Sequence, residues 1–331
     1  MNCNIKEQTR PITYPISTER VHAQLKSSAV YGEVKWRPVK SLWISAMTMI
    51  AVTAGPLTFT WDALVVFIAL CAVTICGGHS VGMHRLLIHR SFKAHIWVEY
   101  FLVYLGVLVS MSGPYGMIRL HDFRDWGQRQ TGCHDFFSHR AGFFKDAWWQ
   151  LHCGIDLTHE PTFLIEDRIR NDHFYKIIER TWMAQQVPLA FILFFVGGIP
   201  WVVWGICVRV SVSLIGHWLV GYYAHQPKSH LLYIEGACVQ GYNLPKLGII
   251  TFGEAYHENH HAFPSSAKLG FLPGQTDPGW WLVRALEFFG LVTDISTPEN
   301  LNLRNGLTVN AAAGNLYPKS EPVWMQRLFR H

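Results

Sequence analysis

Histidines gather at three places in this chain where an apolar segment meets a polar one. The stretches read GMHRLLIHR, GHWLVGYYAH and GEAYHENHHAFP, and their histidines are His84, His89, His217, His225, His257, His260 and His261. Neutral imidazole is the commonest metal ligand in proteins, and it suits iron, zinc and copper. One such cluster would be weak evidence, because surface histidines are common. Three clusters at the ends of different apolar segments predict a metal site.

The spacing within each cluster decides which rings can share a site. His260 and His261 follow His257 by three and four residues, so a helix would present all three rings on one face. His89 follows His84 by five residues, a step that turns an ideal helix by about 140°. These two rings can reach one site only if the helix bends or ends there. The predicted metal ligands are therefore His84, His89, His225, His257, His260 and His261.

The composition indicates an integral membrane protein. Half of the 331 residues are hydrophobic and 15% are charged, whereas about a quarter are charged in typical soluble proteins. The 14 Trp fit a membrane, because bilayer interfaces are rich in Trp. The net charge of +5 comes without a dense Lys/Arg tract, which argues against a nucleic-acid partner. Seven cysteines without a CxxC pair argue for a reducing compartment rather than a disulfide framework.

Four apolar segments are predicted to cross the bilayer as two hairpins, which makes the fold an all-α integral membrane protein. The segments are residues 42–59, 63–78, 186–199 and 201–223. The first two are near the lower limit of about 17 residues for a span. Their outer flanks are basic and the turn between them is not, so both termini and the histidines are expected on the cytosolic side. The apolar run at 97–112 is interrupted by Glu99 and predicts a helix that dips into the interface.

Polar segments flank and separate the predicted spans. Residues 1–40 predict a cytosolic arm, residues 41–295 the membrane domain, and residues 296–331 a cytosolic tail. Residues 115–185, rich in His, Asp and Arg, predict a cytosolic region between the two hairpins. Arg209 lies inside the last span, where a buried arginine is costly and either faces the bundle interior or snorkels to the surface.

Two of the clusters carry motifs of a known family. GMHRLLIHRSFKAH and GEAYHENHHAFPSSAKLG resemble the first and third histidine boxes of the integral membrane fatty acid desaturases, in particular the acyl-CoA type. LVGYYAHQP is similar to that family's Asn-Ser-x-x-His segment, with His225 at its histidine and Gly221 at its asparagine. PGWWLVRALEFFGLVTDI is similar to the family's end. The resemblance covers roughly residues 40–295, and the third box with its AFP continuation is highly specific.

The resemblance implies a fold and a chemistry. Four spans would carry a cytosolic helical cap, and histidines would hold two irons, with a single metal as the alternative. O2 and two electrons from a ferredoxin or cytochrome b5-type donor would then remove hydrogens from adjacent methylenes of a long acyl chain. The substrate would be an acyl-CoA or an acyl-lipid. Breaking an unactivated C–H bond exceeds what side chains can do, so a redox metal must supply that chemistry.

The middle of the chain departs from the family pattern. The family's middle box reads Arg-Asp-His-x-x-His-His, and Arg124 and Asp125 match its first two residues. Its histidine positions then hold Trp126, Arg129 and Gln130, none of them a good ligand. Three interpretations follow: other residues substitute, the site is smaller with six histidines, or the chain is a degenerate scaffold. The candidate substitutes are Asp122, His134 and His139, with His121 and Asp125 also near.

Charged residues near the clusters suggest supporting roles. Arg85, Arg90 and Lys93 can hold an acidic head group such as CoA phosphates or a phospholipid, or anchor to lipid phosphates in general. Glu254 precedes His257 by three residues and either orients a ligand histidine or caps a helix. The remaining cluster member, His217, is better explained as a hydrogen-bonded histidine at an interface.

The sequence thus predicts a fatty acid desaturase-like oxidoreductase that uses O2 and histidine-bound iron to introduce a double bond into a long acyl chain. A related di-iron hydroxylase or lipid oxygenase is one alternative. A catalytically degenerate, lipid-binding membrane scaffold is the other. Metal content separates the scaffold from the enzymes, and product analysis separates desaturation from hydroxylation.

Overall fold

The computed structural model describes residues 17–310, most of them helical. The helices are α1 Pro38–Leu57, α2 Trp61–Cys71, α3 Ile96–Val107, α4 Pro114–Arg129, α5 Asp135–Ser138, α6 Phe143–His152, α7 Asp167–Arg170, α8 His173–Thr181, α9 Gln186–Val202, α10 Arg209–Ala224, α11 His257–Ala262 and α12 Pro278–Phe288. Two π-helical segments, Ala72–Ile88 and Val203–Val208, continue α2 and join α9 to α10. The prediction of a mainly helical protein is confirmed.

Eight short strands, which the all-α prediction did not include, pair in antiparallel couples around the helices of the described chain. They are β1 Val21–His22, β2 Gly32–Trp36, β3 Lys93–Ala94, β4 Cys153–Leu157, β5 Thr162–Phe163, β6 Leu232–Ile234, β7 Val292–Thr293 and β8 Leu307–Val309. The pairs are β1 with β5, β2 with β4, β3 with β7, and β6 with β8. The β2–β4 pair ties the residues before α1 to those after α6, and so fixes the entry to α1 beside α6.

Two helices of the described chain are long and apolar enough to cross a membrane, Trp61–Ile88 and Gln186–Ala224. The helix Ile96–Val107, where an interfacial helix is predicted, is apolar but shorter. Large apolar side chains point outward along the long helices, among them Ile68 and Phe195. Such a surface is unusual for a soluble protein and matches a lipid-facing one.

The second long helix folds back on itself. Gly198 has φ 68° and ψ −160°, a non-helical conformation that glycine adopts at little cost, and Pro200 follows it. Leu193 and Ile206 lie on either side of this break yet pack in one buried cluster. Thirteen residues of straight helix would separate them by about 20 Å, so the chain must reverse here. The sequence predicts a turn at Ile199-Pro200, and the break lies beside it.

The π-helical segment after α2 approaches α3 unusually closely. A Cβ at Gly78 would lie 2.3 Å from the backbone nitrogen of Gly106, and one at Gly82 would lie 2.5 Å from the carbonyl of Leu102. The two backbones are therefore in contact, and a side chain at either glycine would push them apart. This contact holds the end of the segment, with His84, against the core.

One core cluster joins the first long helix to α3, α4 and α8 through Met83, Val103, Ile118 and Tyr175.

Arg209 is fully buried and faces the interior of the bundle, which is one of the two positions predicted for it. Its guanidinium donates to the Leu108 carbonyl at 2.6 Å and to Gln186 Oε1 at 2.7 Å, as a cation inside a bundle requires.

Candidate metal centre

One group of four histidines forms where the π-helical segment, α4 and α11 meet. Its members are His84, His89, His121 and His260, and their ligand nitrogens all lie within 4.8 Å of one another. The π-helix explains how His84 and His89 share a site despite their five-residue spacing. Its bonds run from residue i to i+5, and the His89 amide donates to the His84 carbonyl at 3.0 Å. The wider turn brings both rings to the same side.

Carboxylates orient two rings of this first group. The Nδ1 atom of His84 lies 2.8 Å from Glu254 Oε2, which leaves its Nε2 atom to face the group. Glu254 also accepts a hydrogen bond from Ser80 at 2.6 Å. Burial alone would raise the pKa of Glu254, but its interaction with His84 holds the pKa below the ordinary value. The position of Glu254 fits the ligand-orienting role that the sequence left open, and Asp122 lies similarly, 3.4 Å from Nδ1 of His121.

A second group of three histidines lies at the end of α10 and on α11. The Nε2 atom of His257 is 3.1 Å from the Nε2 atoms of both His225 and His261. The Nδ1 atom of His225 donates to the Gly221 carbonyl at 2.6 Å, so its Nε2 atom carries the lone pair. The ring centroids of His257 and His260 are 5.5 Å apart, so α11 contributes to both groups and the groups adjoin.

Burial lowers the pKa of five histidines of the two groups, His89, His225, His257, His260 and His261, and keeps them neutral at ordinary pH. Burial and neighbouring imidazoles lower the pKa of His225 and His261 well below the usual value. Burial, followed by the electrostatic interaction with His84, lowers the pKa of His257 to about 3. His257 and His261 keep some accessible surface because they line an internal cavity.

This donor set fits a metal ion such as iron. Three neutral rings bring their Nε2 atoms together, with those of His225 and His261 each 3.1 Å from that of His257. A cation between the rings would accept their lone pairs and hold them in this arrangement. Nitrogens about 3.0 Å apart are also what two metal–nitrogen bonds of about 2.1 Å at a right angle would give. The two groups therefore suit two metal positions side by side.

All six predicted metal ligands fall in these two groups, and the structure adds His121. In the register predicted for the middle box, His121 is not at a histidine position, and the sequence identifies it only as a residue near the box. Aligned instead on Arg119 and His121, five residues earlier, the box keeps its first residue and first histidine, and its last two positions hold Arg124 and Asp125. An Arg-x-His match was the signal available in the sequence. Helical offsets of three and four place Arg124 and Asp125 on the His121 face of α4.

The predicted substitutes lie at different distances from the groups. Asp122 is ion-paired with Arg20 at 3.1 Å, besides its contact with His121. His134 caps the start of α5, where its Nδ1 atom accepts from the Phe136 amide at 3.1 Å, outside both groups. His139 comes nearer, with its ring stacked on His225 at a centroid distance of 5.1 Å.

His139 is held by a buried network beside the second group. Its Nδ1 atom donates to Asp146 at 2.9 Å, and Asp146 also accepts from the Trp218 indole at 2.8 Å. Arg124 donates to its Nε2 atom. Burial and Arg124 lower the pKa of His139 to about 4. Gly221 lies against this ring, because a Cβ there would be in van der Waals contact with the His139 Nε2 atom at 3.4 Å.

The predicted head-group residues differ in accessibility. Arg85 is 1% exposed and paired with Asp277 at 2.8 Å, which turns it inward. Arg90 pairs with Glu166 at 2.8 Å on a partly exposed face. Lys93 is exposed and pairs with Asp294 at 2.9 Å. Separately, His217 stands edge-on to His79 at 4.9 Å. It belongs to neither histidine group.

A cavity of about 200 Å³ leads to the histidines of both groups. Apolar side chains make up much of its wall, including Ile44, Met111, Met117, Leu120, Leu214 and Val220. A recess of about 420 Å³ adjoins it and shares Lys40, Leu120 and Trp182 with it. The cations Arg37, Lys40 and Arg119 line this outer recess together with Glu160, which pairs with Arg119. The arrangement can hold an apolar chain beside the histidines with a polar end outside.

Comparison with known proteins gives concordant relatives, although no family model matches the chain. Delta-9 acyl-lipid desaturase 1 of Arabidopsis thaliana is 31% identical over 287 residues, 82% of this chain and 88% of that protein. The Anabaena variabilis sn-1 stearoyl-lipid 9-desaturase is 30% identical over 76% of this chain and 93% of its own. The Anemone leveillei acyl-CoA 5-desaturase AL21 is 30% identical over 76% and 77%. The chain therefore belongs to the fatty acid desaturase family, a family of oxidoreductases that act on acyl chains with O2.

Proposed function

We propose that the two histidine groups hold two iron ions and that the protein uses O2 to introduce a double bond into a long acyl chain. One observation carries this proposal: seven imidazoles converge in two adjoining groups, and six of them line an apolar cavity. When bound, iron supplies the C–H oxidation chemistry that side chains lack. The electrons come from a ferredoxin or cytochrome b5-type donor.

The chain's own residues have distinct roles in this proposal. His84, His89, His121 and His260 hold the first metal position, and His225, His257 and His261 hold the second. Glu254 fixes the orientation of the His84 ring. The apolar cavity wall holds the acyl chain and excludes water from the histidines.

The substrate's polar end is proposed to lie in the outer recess. Relatives are named for acyl-lipid and for acyl-CoA substrates, and both carry anionic or polar head groups. The cations Arg37, Lys40 and Arg119 line this recess next to the cavity. Arg90 and Lys93 remain candidates for contact with head groups of the bilayer, whereas Arg85 is enclosed by its pair with Asp277.

The four-span topology is proposed on the packing of the apolar helices. The spans are α1, the helix Trp61–Ile88, and the two arms of Gln186–Ala224 on either side of Gly198. Residues of all four segments meet in one cluster that includes Met47, Val66, Leu193 and Val210. The histidine groups lie at one end of these segments, proposed to be cytosolic with both termini. Residues 41–295 form the membrane domain in this topology.

Expression in a host with a defined lipid profile tests the function. We expect a new double bond in the host's acyl chains and about two irons per purified chain. His260→Ala should abolish the product and lower the iron content, because the ring belongs to the first group. His134→Ala is the matched control, because this histidine lies outside both groups. An iron-free protein and an unchanged lipid profile would contradict the proposal.

A further inference from the structure

The two histidine groups are unequal. Among the described residues, the first has four histidine nitrogens within 4.8 Å of one another, and the second has three. No carboxylate of the described chain is part of either set. At the first position the carboxylates of Glu254 and Asp122 face ligand rings, whereas no carboxylate of the described chain pairs with a ring of the second group. A divalent cation held there only by neutral imidazoles would keep its charge uncompensated in a low dielectric, which is unfavourable. The second position thus lacks both a donor and a negative charge.

One face of helix α4 lies beside both histidine groups. His121 is a member of the first group, and Gln128, seven residues later, has its Nε2 atom 3.0 Å from the Nε2 atom of His225 in the second. Asp125 lies between them, four residues after His121 and three before Gln128, so all three share this face. Asp125 also lines the cavity that the histidines line.

The Asp125 carboxylate is weakly engaged. Within residues 17–310 its side chain has one ion pair, with Arg129 at 3.5 Å, the outer limit of a hydrogen bond. Burial would raise the pKa of Asp125, yet it is lowered by nearby cations, first Arg129 and then Arg304. His121 and His257, one from each group, act in the same direction. The group is therefore an available, ionised oxygen donor.

Two other side chains near the second group are less suited. Both nitrogens of His139 are engaged, one by Asp146 and the other by the Arg124 guanidinium. That guanidinium also puts a positive charge where a metal would approach the ring. Gln128 uses its amide nitrogen to donate to the Phe137 carbonyl at 2.7 Å. Carboxylate with histidine is, by contrast, a favoured set for non-haem iron.

We propose that Asp125 supplies the carboxylate ligand that completes the second metal position. Its oxygen joins the nitrogens of His225, His257 and His261, and its charge offsets part of the charge of the ion. This inference rests on the proposed function. It makes the second position a mixed oxygen–nitrogen site beside an all-nitrogen one.

The experiment uses the full chain, purified in detergent and titrated anaerobically with ferrous iron alone. We expect the wild type to bind about two irons and Asp125→Asn to bind the second at least about tenfold more weakly, since losing even a supporting residue costs that much. The Mössbauer spectrum, a readout independent of turnover, should lose one of two iron environments. Asp125→Glu keeps a carboxylate and should recover part of the affinity, which separates ligand loss from misfolding.

Arg129→Gln is the matched control, because it removes the ion pair and keeps the carboxylate. We expect it to bind iron at least as well as the wild type. An equal loss of iron in Arg129→Gln and Asp125→Asn would make Asp125 a structural partner and overturn the inference. Loss of the second iron in His139→Gln, with full binding in Asp125→Asn, would overturn it in favour of the histidine. An iron-free wild type would instead contradict the proposed function itself.

Discussion

Arg85 allows a sharp test between a structural and a head-group role. Its guanidinium contacts both carboxylate oxygens of Asp277, at 2.8 and 3.2 Å. It also donates to the carbonyls of Ala267 and Phe252, at 2.7 and 3.0 Å. Arg85→Met keeps much of the volume but leaves the Asp277 carboxylate buried without its cation. Breaking a buried pair from one side costs about 3–5 kcal/mol.

The lower end of that range applies here, because Asp277 keeps backbone partners. The amides of Leu269 and Gly270 donate to it at 2.8 and 3.0 Å, so part of its charge remains stabilised. A loss of about 3 kcal/mol should lower the melting temperature in detergent by at least about 5 °C. Adding Asp277→Asn to Arg85→Met should recover part of the loss, because the uncompensated charge is then removed.

Arg90→Met is the control for this experiment. Arg90 is 41% exposed, and ion pairs of that exposure contribute less than about 1 kcal/mol. Its melting temperature should therefore stay close to that of the wild type. An Arg85→Met protein as stable as the wild type, but with weaker binding of acyl-CoA, would refute the structural role and restore the head-group assignment.

Three further predictions concern the centre. With the remaining leucine atoms crowding a ring that the Cβ alone would only touch, at 3.4 Å, Gly221→Leu should displace the ring of His139 and lower both stability and iron content, whereas Gly216→Leu on the same helix should be tolerated. Glu254→Gln should weaken iron binding about 10- to 100-fold, measured by ferrous titration, because the first group loses its orienting carboxylate. The metal-free protein should lose stability as pH falls below about 6.5, by up to about 1.4 kcal/mol per pH unit for each buried histidine such as His257, in thermal melts.

The sign of the pH effect follows from the direction of the pKa shifts. Burial lowers the pKa of His139 to about 4 and that of His257 to about 3 in the folded chain. The unfolded chain keeps the ordinary value of about 6.5 and so binds more protons below it. Stability is then complete above about pH 6.5 and is lost as the pH falls towards the folded values. Bound iron should shift this loss to lower pH, because the ion competes with the protons.

The spacing of the histidines predicts much of the site, because only a few residue types bind metal ions. Offsets of three and four on α11 predict one face, and the structure has that helix. The five-residue step from His84 to His89 demands a departure from an α-helix. The spacing alone does not predict that this departure is a π-helix, since π-helical hydrogen bonding depends on how the segment packs on α3. Local spacing therefore predicts that the helix must deviate for both rings to reach one site, and tertiary contacts determine the form of the deviation.

His121 was passed over for a related reason. Two registers of the middle box each match two residues, Arg124 and Asp125 in one and Arg119 and His121 in the other. The sequence alone offers no energy difference between them. Packing separates them, because only the register with His121 brings an imidazole within 4.8 Å of the first group.

In the proposed site, the two metal positions have different electrostatic surroundings. At the first, carboxylates of Glu254 and Asp122 face the ligand rings and make them better donors. At the second, His225 has a backbone carbonyl as its partner, and the guanidinium of Arg124 lies one ring away, on His139. A cation entering the second position would meet this positive charge, which the proposed ligand Asp125 would offset. The first position should accordingly fill before the second in a ferrous titration, and Arg124→Gln should narrow the gap between the two affinities. Equal affinities in the wild type would show that the arginine exerts no such effect on the metals.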